Sequence, residues 1–370
     1  MNRRKFIRKV AAGAATIGAG GTLSAPAIAQ SLPNIKWRLT SSFPKSLDVI
    51  YAAGDFISKR VAALTEDRFQ ISTFASGEIV GGLQVLDAVQ GGNVELGHTM
   101  TYYYIGKDPT AAFSAALPFG LNARQQVAWM LEGGGAELMN EFWKQYNVIC
   151  IPAGNTAAQM GGWFRREIKT VDDLKGLKFR VGGLAGRVLS KLGVIPQQIP
   201  AGEIFPTLEK GAIDAAEWLG PYDDEKLGLN KVAKYYYYPG WWEGSAQVSL
   251  LVNIEQWNAL PALYKNALQI ACEASTSWML ARYDALSPAA VRRLAAGGTE
   301  FRSFSPEIMD ASYRAAQQLY AEIAETNPNF KRVYEPWKKF MAEEHLWFRI
   351  AEHSFDNYMY SVGSRIRSQQ

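Results

Sequence analysis

The chain is expected to adopt an α/β fold in two halves, on three observations. Strand-like and helix-like patterns alternate along most of its length, which favours parallel sheets covered by helices. About 340 residues remain once an N-terminal export segment is set aside, and 48% of the chain is hydrophobic, too much for one ordinary core. Finally, Val89-Gln90-Gly91-Gly92-Asn93-Val94-Glu95 and Leu208-Glu209-Lys210-Gly211-Ala212-Ile213-Asp214 share one order: apolar, two spacers, Gly, one spacer, β-branched, acid. Each reads as a helix closed by glycine that turns at once into a strand, once in each half. The motif is also common αβ-turn chemistry, but its placement fits two lobes of similar build.

The elements follow in order. Asn2-Arg3-Arg4-Lys5-Phe6-Ile7-Arg8 reads as a twin-arginine export signal, followed by a weakly hydrophobic Gly/Ala stretch and the small-residue cleavage site Ala27-Ile28-Ala29. The mature chain is expected to begin at Gln30, in the periplasm. Ile35–Thr40 alternates as a first strand, apolar residues recur at helical spacing from Val49 to Leu64, and Phe69–Phe74 alternates again, a βαβ unit. A second set starts near Asn147 and continues through a strand at Leu177–Val181, a helix over Ala185–Leu192 and a short strand near Gln197–Ile199. The last hundred or so residues read mostly as helix, with Ser305-Pro306-Glu307 as a start signal: a capping serine and a proline at the first helical position.

Charge and rare residues narrow the function. Lys and Arg total 39 against 35 acids, but five of the bases and none of the acids lie in the first thirty residues, so the mature protein is close to neutral. The sequence pI of about 8.8 therefore describes the export segment, and a nucleic-acid role loses its electrostatic support. Cys150 and Cys272 both sit in apolar runs and read as small buried hydrophobes. His98, His345 and His353 form no cluster, so zinc, haem and iron-sulfur sites are not expected.

Chemistry concentrates between residues 153 and 244. Arg180 ends an apolar strand beside Gly182 and Gly183, a setting suited to a carboxylate, since the planar guanidinium can make two parallel charged hydrogen bonds. Asn155 and Gln159 lie in a run of small residues, Glu217 stands in the apolar segment Ala215–Gly220, and Glu243 follows a Trp pair. Acids in apolar segments need a cation or several donors. Glu217, Glu243 and Gln159 offer oxygen ligands only, a set for Na⁺ or Ca²⁺; equally, the glutamates could pair with Arg180 or a lysine. Tyr235–Tyr238 cannot all face one way on a strand, so at most half would face a ligand.

Taken together, the runs Ser41–Asp48, Tyr102-Tyr103-Tyr104, Gly106–Pro109, Gln159–Glu167, Asp172–Arg180, Glu217-Trp218, Gly220–Lys226 and Tyr235–Gly244 resemble the solute-binding subunits of TRAP (tripartite ATP-independent periplasmic) transporters. The similarity is of the DctP-like kind and strongest to the branch that binds α-keto acids. It covers essentially the whole mature chain. It implies a two-lobed, type II-like periplasmic binding protein with crossing hinge strands, a long connecting helix and a helical C-terminal region. The expected division is a signal peptide over 1–29, a first lobe over 30–153 to which later segments return, and a second lobe over 154–253. Residues 254–370 would then hold the hinge return, the long helix and the terminal helices, the last forming a homodimer.

The resemblance further implies that Arg180 pairs with a substrate carboxylate. Na⁺ or Ca²⁺ would bridge ligand and protein through Gln159, Glu217, the Trp218 backbone carbonyl and Glu243. Asn155, Tyr103 or Tyr104 would add hydrogen bonds or a wall, and Trp218 would help enclose the ligand. Small 2-oxo monocarboxylates such as pyruvate and 2-oxobutyrate fit this set, for delivery to the small and large membrane subunits; lactate or another 2-hydroxy acid is the alternative. An exported enzyme acting on keto acids is the rival from another class, but no Gly-x-Gly-x-x-Gly after a strand and no Gly-x-Ser-x-Gly elbow supports it.

Overall fold

The structure is a computed structural model and describes residues 32–367; the export signal and its cleavage site lie outside the described residues. Among the described residues the strands are β1 (Ile35–Ser41), β2 (Phe69–Phe74), β3 (Leu96–Thr99), β4 (Val148–Asn155), β5 (Gly162–Phe164), β6 (Lys178–Arg180), β7 (Ile195–Gln197), β8 (Ala215–Ala216), β9 (Tyr235–Tyr238), β10 (Gln247–Asn253) and β11 (Glu300–Ser303). They form two sheets, ordered β2-β1-β3-β10-β4 and β11-β9-β5-β8-β6-β7. No helix among the described residues is long and apolar enough to cross a membrane.

The βαβ start is as read: β1 and β2 pair in parallel around the helix Ala52–Leu64, with Ile57 and Val61 buried. The sheets are not wholly parallel. β10 runs antiparallel to both β3 and β4, and β5 antiparallel to both β8 and β9. The reason lies in the connections. The chain leaves the first sheet after β4, enters the second at β5, and returns from β9 into β10, so the strands beside the crossings enter from the far side. A third crossing follows the 35-residue helix Ala262–Ala296, which leads from the first sheet to β11 in the second.

The repeated glycine motif closes a helix in each sheet. Gly92 and Gly211 take φ of +73° and +71°, a left-handed turn that glycine adopts without penalty, and lead to β3 and β8. Each of these strands ends at residues that matter below: Thr101–Tyr104 after β3, Glu217 and Trp218 after β8. In open α/β sheets, ligands bind beyond the carboxyl ends of the strands. Ser305 caps the helix Pro306–Thr326 by accepting from Ile308 N–H. Cys150 and Cys272 are buried and free, and burial pushes the Cys150 thiol up to about 11.

Candidate functional site

Arg180 closes β6 and is almost wholly buried, 1% exposed. Its Nε donates to the Ile199 carbonyl at 3.0 Å, and Nη1 donates to Glu217 twice, to Oε1 at 2.5 Å and to the backbone carbonyl at 2.6 Å. The guanidinium carbon lies 5.1 Å from the Trp218 ring centroid, a cation-π contact on the face of the plane. Nη2 is buried and, among the described residues, donates to none.

Glu217 stands one residue beyond β8. Its Oε1 accepts from Gly182 N–H at 2.8 Å as well as from Arg180, while Oε2 is buried without a partner among the described residues. Gly183 next to it takes φ of +61°, and a side chain on Gly182 would meet the Tyr102 ring at 3.0 Å, so the glycine pair lets β6 end against the turn Thr101–Tyr104.

Across from this pair, Gln159 Nε2 donates to Thr156 Oγ1 at 2.9 Å and to Glu243 Oε2 at 2.8 Å, and Tyr102 OH makes a long contact of 3.4 Å to the same Glu243 oxygen. Gln159 Oε1 is buried and has no partner among the described residues. Burial pushes the Glu217 carboxyl up to about 6 although the Arg180 charge pulls it down. Burial, and then the Glu217 charge, push the Glu243 carboxyl well above the usual range. Two carboxylates sharing one buried site with a single guanidinium favour a further positive charge between them.

Arg180, Gln159, Glu217, Trp218 and Glu243 are thus brought into one buried cluster. Among the described residues, no group of three or more His, Cys, Asp or Glu is placed to hold a metal. The oxygens shown here, two carboxylates and an amide, are of the hard kind that Na⁺ or Ca²⁺ takes, and the orphaned Glu217 Oε2 and Gln159 Oε1 fit such an ion.

The other candidates fall out differently. Tyr103 packs edge-on against Tyr102 at 5.2 Å, and burial raises its hydroxyl despite the nearby Arg180 charge. Tyr104 turns the other way, its hydroxyl holding Leu86 N–H at 3.1 Å and Thr99 Oγ1 at 2.8 Å. Asn155 Oδ1 accepts from Ala157 N–H at 2.9 Å and so shapes the crossing segment after β4; it also borders a cavity of about 220 Å³ with Met130 and Thr276. Tyr102 is a member of the cluster that the sequence did not single out, since three adjacent tyrosines carry no mark of which one faces the site.

Comparison with known proteins gives one consistent result. The model of the bacterial extracellular solute-binding proteins, family 7 (DctP), matches residues 40–327. The chain is 49% identical over 360 residues to a monocarboxylate 2-oxoacid-binding periplasmic protein of Nostoc sp., covering 97% of this chain and 99% of that one. Among solved structures it is similar to a TRAP transporter solute-binding protein of Bordetella bronchiseptica, 52% identical with a TM-score of 0.89 over 90% of this chain and 99% of that one. That protein is a mixed-occupancy dimer, one active site holding copurified calcium and picolinate. A TRAP periplasmic solute-binding protein of Pseudoalteromonas atlantica with bound sodium and pyruvate is 34% identical, TM-score 0.85, over 88% of this chain and 99% of that one.

Proposed function

The chain belongs to the bacterial extracellular solute-binding proteins of family 7, and on that premise we propose that it is the periplasmic receptor of a TRAP transporter for small 2-oxo monocarboxylates such as pyruvate. One observation carries the assignment: a buried donor without a partner, Arg180 Nη2, stands in the same cluster as two buried acceptors without partners, Glu217 Oε2 and Gln159 Oε1. Unsatisfied buried groups cost free energy, and a ligand that brings an anion to the first and a cation to the others relieves all three.

In this reading Arg180 takes the substrate carboxylate. Glu217, Glu243, Gln159 and the Trp218 carbonyl hold Na⁺ or Ca²⁺, which supplies positive charge to a carboxylate oxygen and the adjacent 2-oxo oxygen together. Tyr102, Tyr103 and Trp218 enclose the apolar tail. The acid is bound and released unchanged to the small and large membrane subunits, and closure of the lobes presents the shape those subunits recognise. Arg3 and Arg4 support export by the twin-arginine route.

A homodimer built on the terminal helices belongs to the same proposal. Trp347, Ile350, Phe355, Tyr358 and Tyr360 are exposed on the last three helical segments, Pro328–Phe348, Arg349–His353 and Ser354–Arg367, Tyr360 at 76%, which is more apolar and aromatic surface than a helix end carries without a partner.

The test is calorimetric titration of ligand-stripped protein with pyruvate, 2-oxobutyrate, lactate and succinate, each in Na⁺ and in Ca²⁺. Tight, cation-dependent binding of 2-oxo acids with succinate inert is the expected result. Tighter binding of lactate moves the assignment to 2-hydroxy acids, and chemical change of the acid during titration moves it to an enzyme.

A further inference from the structure

The three carbonyl groups from Glu217 to Leu219 are not equivalent. The Glu217 oxygen accepts from Arg180 Nη1 at 2.6 Å, and the Leu219 oxygen accepts from Met160 N–H at 2.9 Å. Among the described residues no hydrogen bond reaches the Trp218 oxygen between them. The peptide that carries this open carbonyl also carries the Leu219 N–H, and in a trans peptide the two point in opposite directions. Leu219 N–H is held at 3.1 Å by Asp224 Oδ1.

Asp224 is itself fixed from behind. It is fully buried, and its Oδ2 accepts from Tyr236 OH at 2.6 Å and from Trp163 Nε1 at 3.0 Å. Those two residues are paired in register on β9 and β5, with their rings stacked at 4.0 Å. A rigid part of the second sheet is thereby connected, through one carboxylate, to the rotation of one peptide plane.

We propose that Asp224 is a positioning residue for the cation: by holding Leu219 N–H it fixes the direction in which the Trp218 carbonyl is offered as a ligand. The proposal rests on the assignment of Trp218 as a cation ligand above. Asp224→Asn is a sharp probe. The indole N–H can only donate, so whichever way the new amide sits, its NH₂ meets either Leu219 N–H or Trp163 Nε1–H.

Pyruvate binding is titrated at graded Ca²⁺ and graded Na⁺ in wild type, Asp224→Asn and Tyr236→Phe. The cation concentration for half-saturation is expected to rise about tenfold or more in Asp224→Asn, the usual cost of losing an outer partner of a metal ligand, while pyruvate affinity at saturating cation stays close to wild type. Tyr236→Phe removes one of the donors behind the carboxylate and shifts the same quantity less, which keeps the test decisive if Asp224→Asn does not fold. In the cation-free proteins, hydrogen exchange at the Leu219 amide is faster in Asp224→Asn than in wild type. An unchanged cation requirement in the folded variants, or an equal loss of pyruvate affinity at every cation concentration, overturns the positioning role and leaves the receptor assignment standing. Wild-type pyruvate binding that ignores cations overturns the bridging cation and the positioning role together, whereas a wild-type protein that binds no pyruvate at any cation concentration overturns the receptor assignment.

Discussion

Arg180 holds Glu217 at two points, the carboxylate at 2.5 Å and the backbone carbonyl at 2.6 Å, with both side chains 1% exposed. The arginine is therefore the counter-charge of a buried acid, and in the proposed function it is also the group that takes the substrate carboxylate. Arg180→Met should abolish 2-oxo acid binding and also destabilise the fold by about 3–5 kcal/mol, because Glu217 is left buried without its partner. Adding Glu217→Gln should recover part of that stability and none of the binding. Thermal unfolding and calorimetry on the two variants and the wild type check this, and near-normal affinity in Arg180→Met would remove the carboxylate assignment.

Glu217→Gln alone separates the cation from the acid. The amide keeps an oxygen for Arg180 but loses the charge offered at Oε2. Pyruvate affinity should fall at least about tenfold, given that even outer partners of metal ligands cost that much, and raised Ca²⁺ should restore part of it. Titration in chelator and at two cation concentrations gives the answer. A wild-type protein that binds equally well in chelator would rule out the bridging ion.

The acid-base behaviour of the fold should be set partly by Asp223. Burial pushes its carboxyl from 3.8 up to about 7, although Tyr283 OH donates to Oδ2 at 2.9 Å and pulls the other way. A carboxyl with a raised folded value binds its proton more tightly in the folded state. Its contribution to stability is full below about pH 4 and is lost as the pH rises through about 7. Paired acids such as the exposed Glu78 and the half-buried Glu95 are shifted down and act in the opposite sense, so the informative quantity is a difference. Asp223→Asn should flatten the pH dependence of the urea midpoint of cation-free protein between pH 4 and 7 relative to wild type; identical slopes would show that Asp223 does not titrate there.

What the sequence made legible follows from how local each signal is. The βαβ start, the capping serine at 305 and the two glycine stops depend on neighbouring residues and were placed to within a few positions. Arg180, Glu217, Gln159 and Glu243 stood out because charged or amide groups in apolar or small-residue runs demand partners. The antiparallel course of β10 was not legible, since it depends on where the chain re-enters the first sheet. Nor was the difference between Tyr102 and Tyr104: on the single turn Thr101–Tyr104 their rings diverge, one toward Glu243 and one toward Leu86. Asp223 and Asp224 were visible only as part of the run Gly220–Lys226, because their roles come from Tyr283, Tyr236 and Trp163, all on other elements.

The two halves are joined near the site by hydrogen bonds from the second sheet's side to the turn that follows β3. Arg187 Nη2 donates to the Ile105 carbonyl at 2.9 Å and Gln198 Nε2 to the Tyr103 carbonyl at 3.0 Å. Both acceptors are backbone oxygens on the segment that carries Tyr102 and Tyr103, so in the proposed function these bonds would tie closure to the position of the aromatic wall. The double variant Arg187→Ala/Gln198→Ala should release bound pyruvate faster, by roughly fivefold if one net hydrogen bond of about 1 kcal/mol is lost, with association little changed. Stopped-flow displacement measures it. An unchanged release rate would shift the closing contact to Asp48, which Lys226 Nζ reaches at 2.8 Å and Tyr222 OH at 3.2 Å. Asp48→Asn would then be the variant that speeds release.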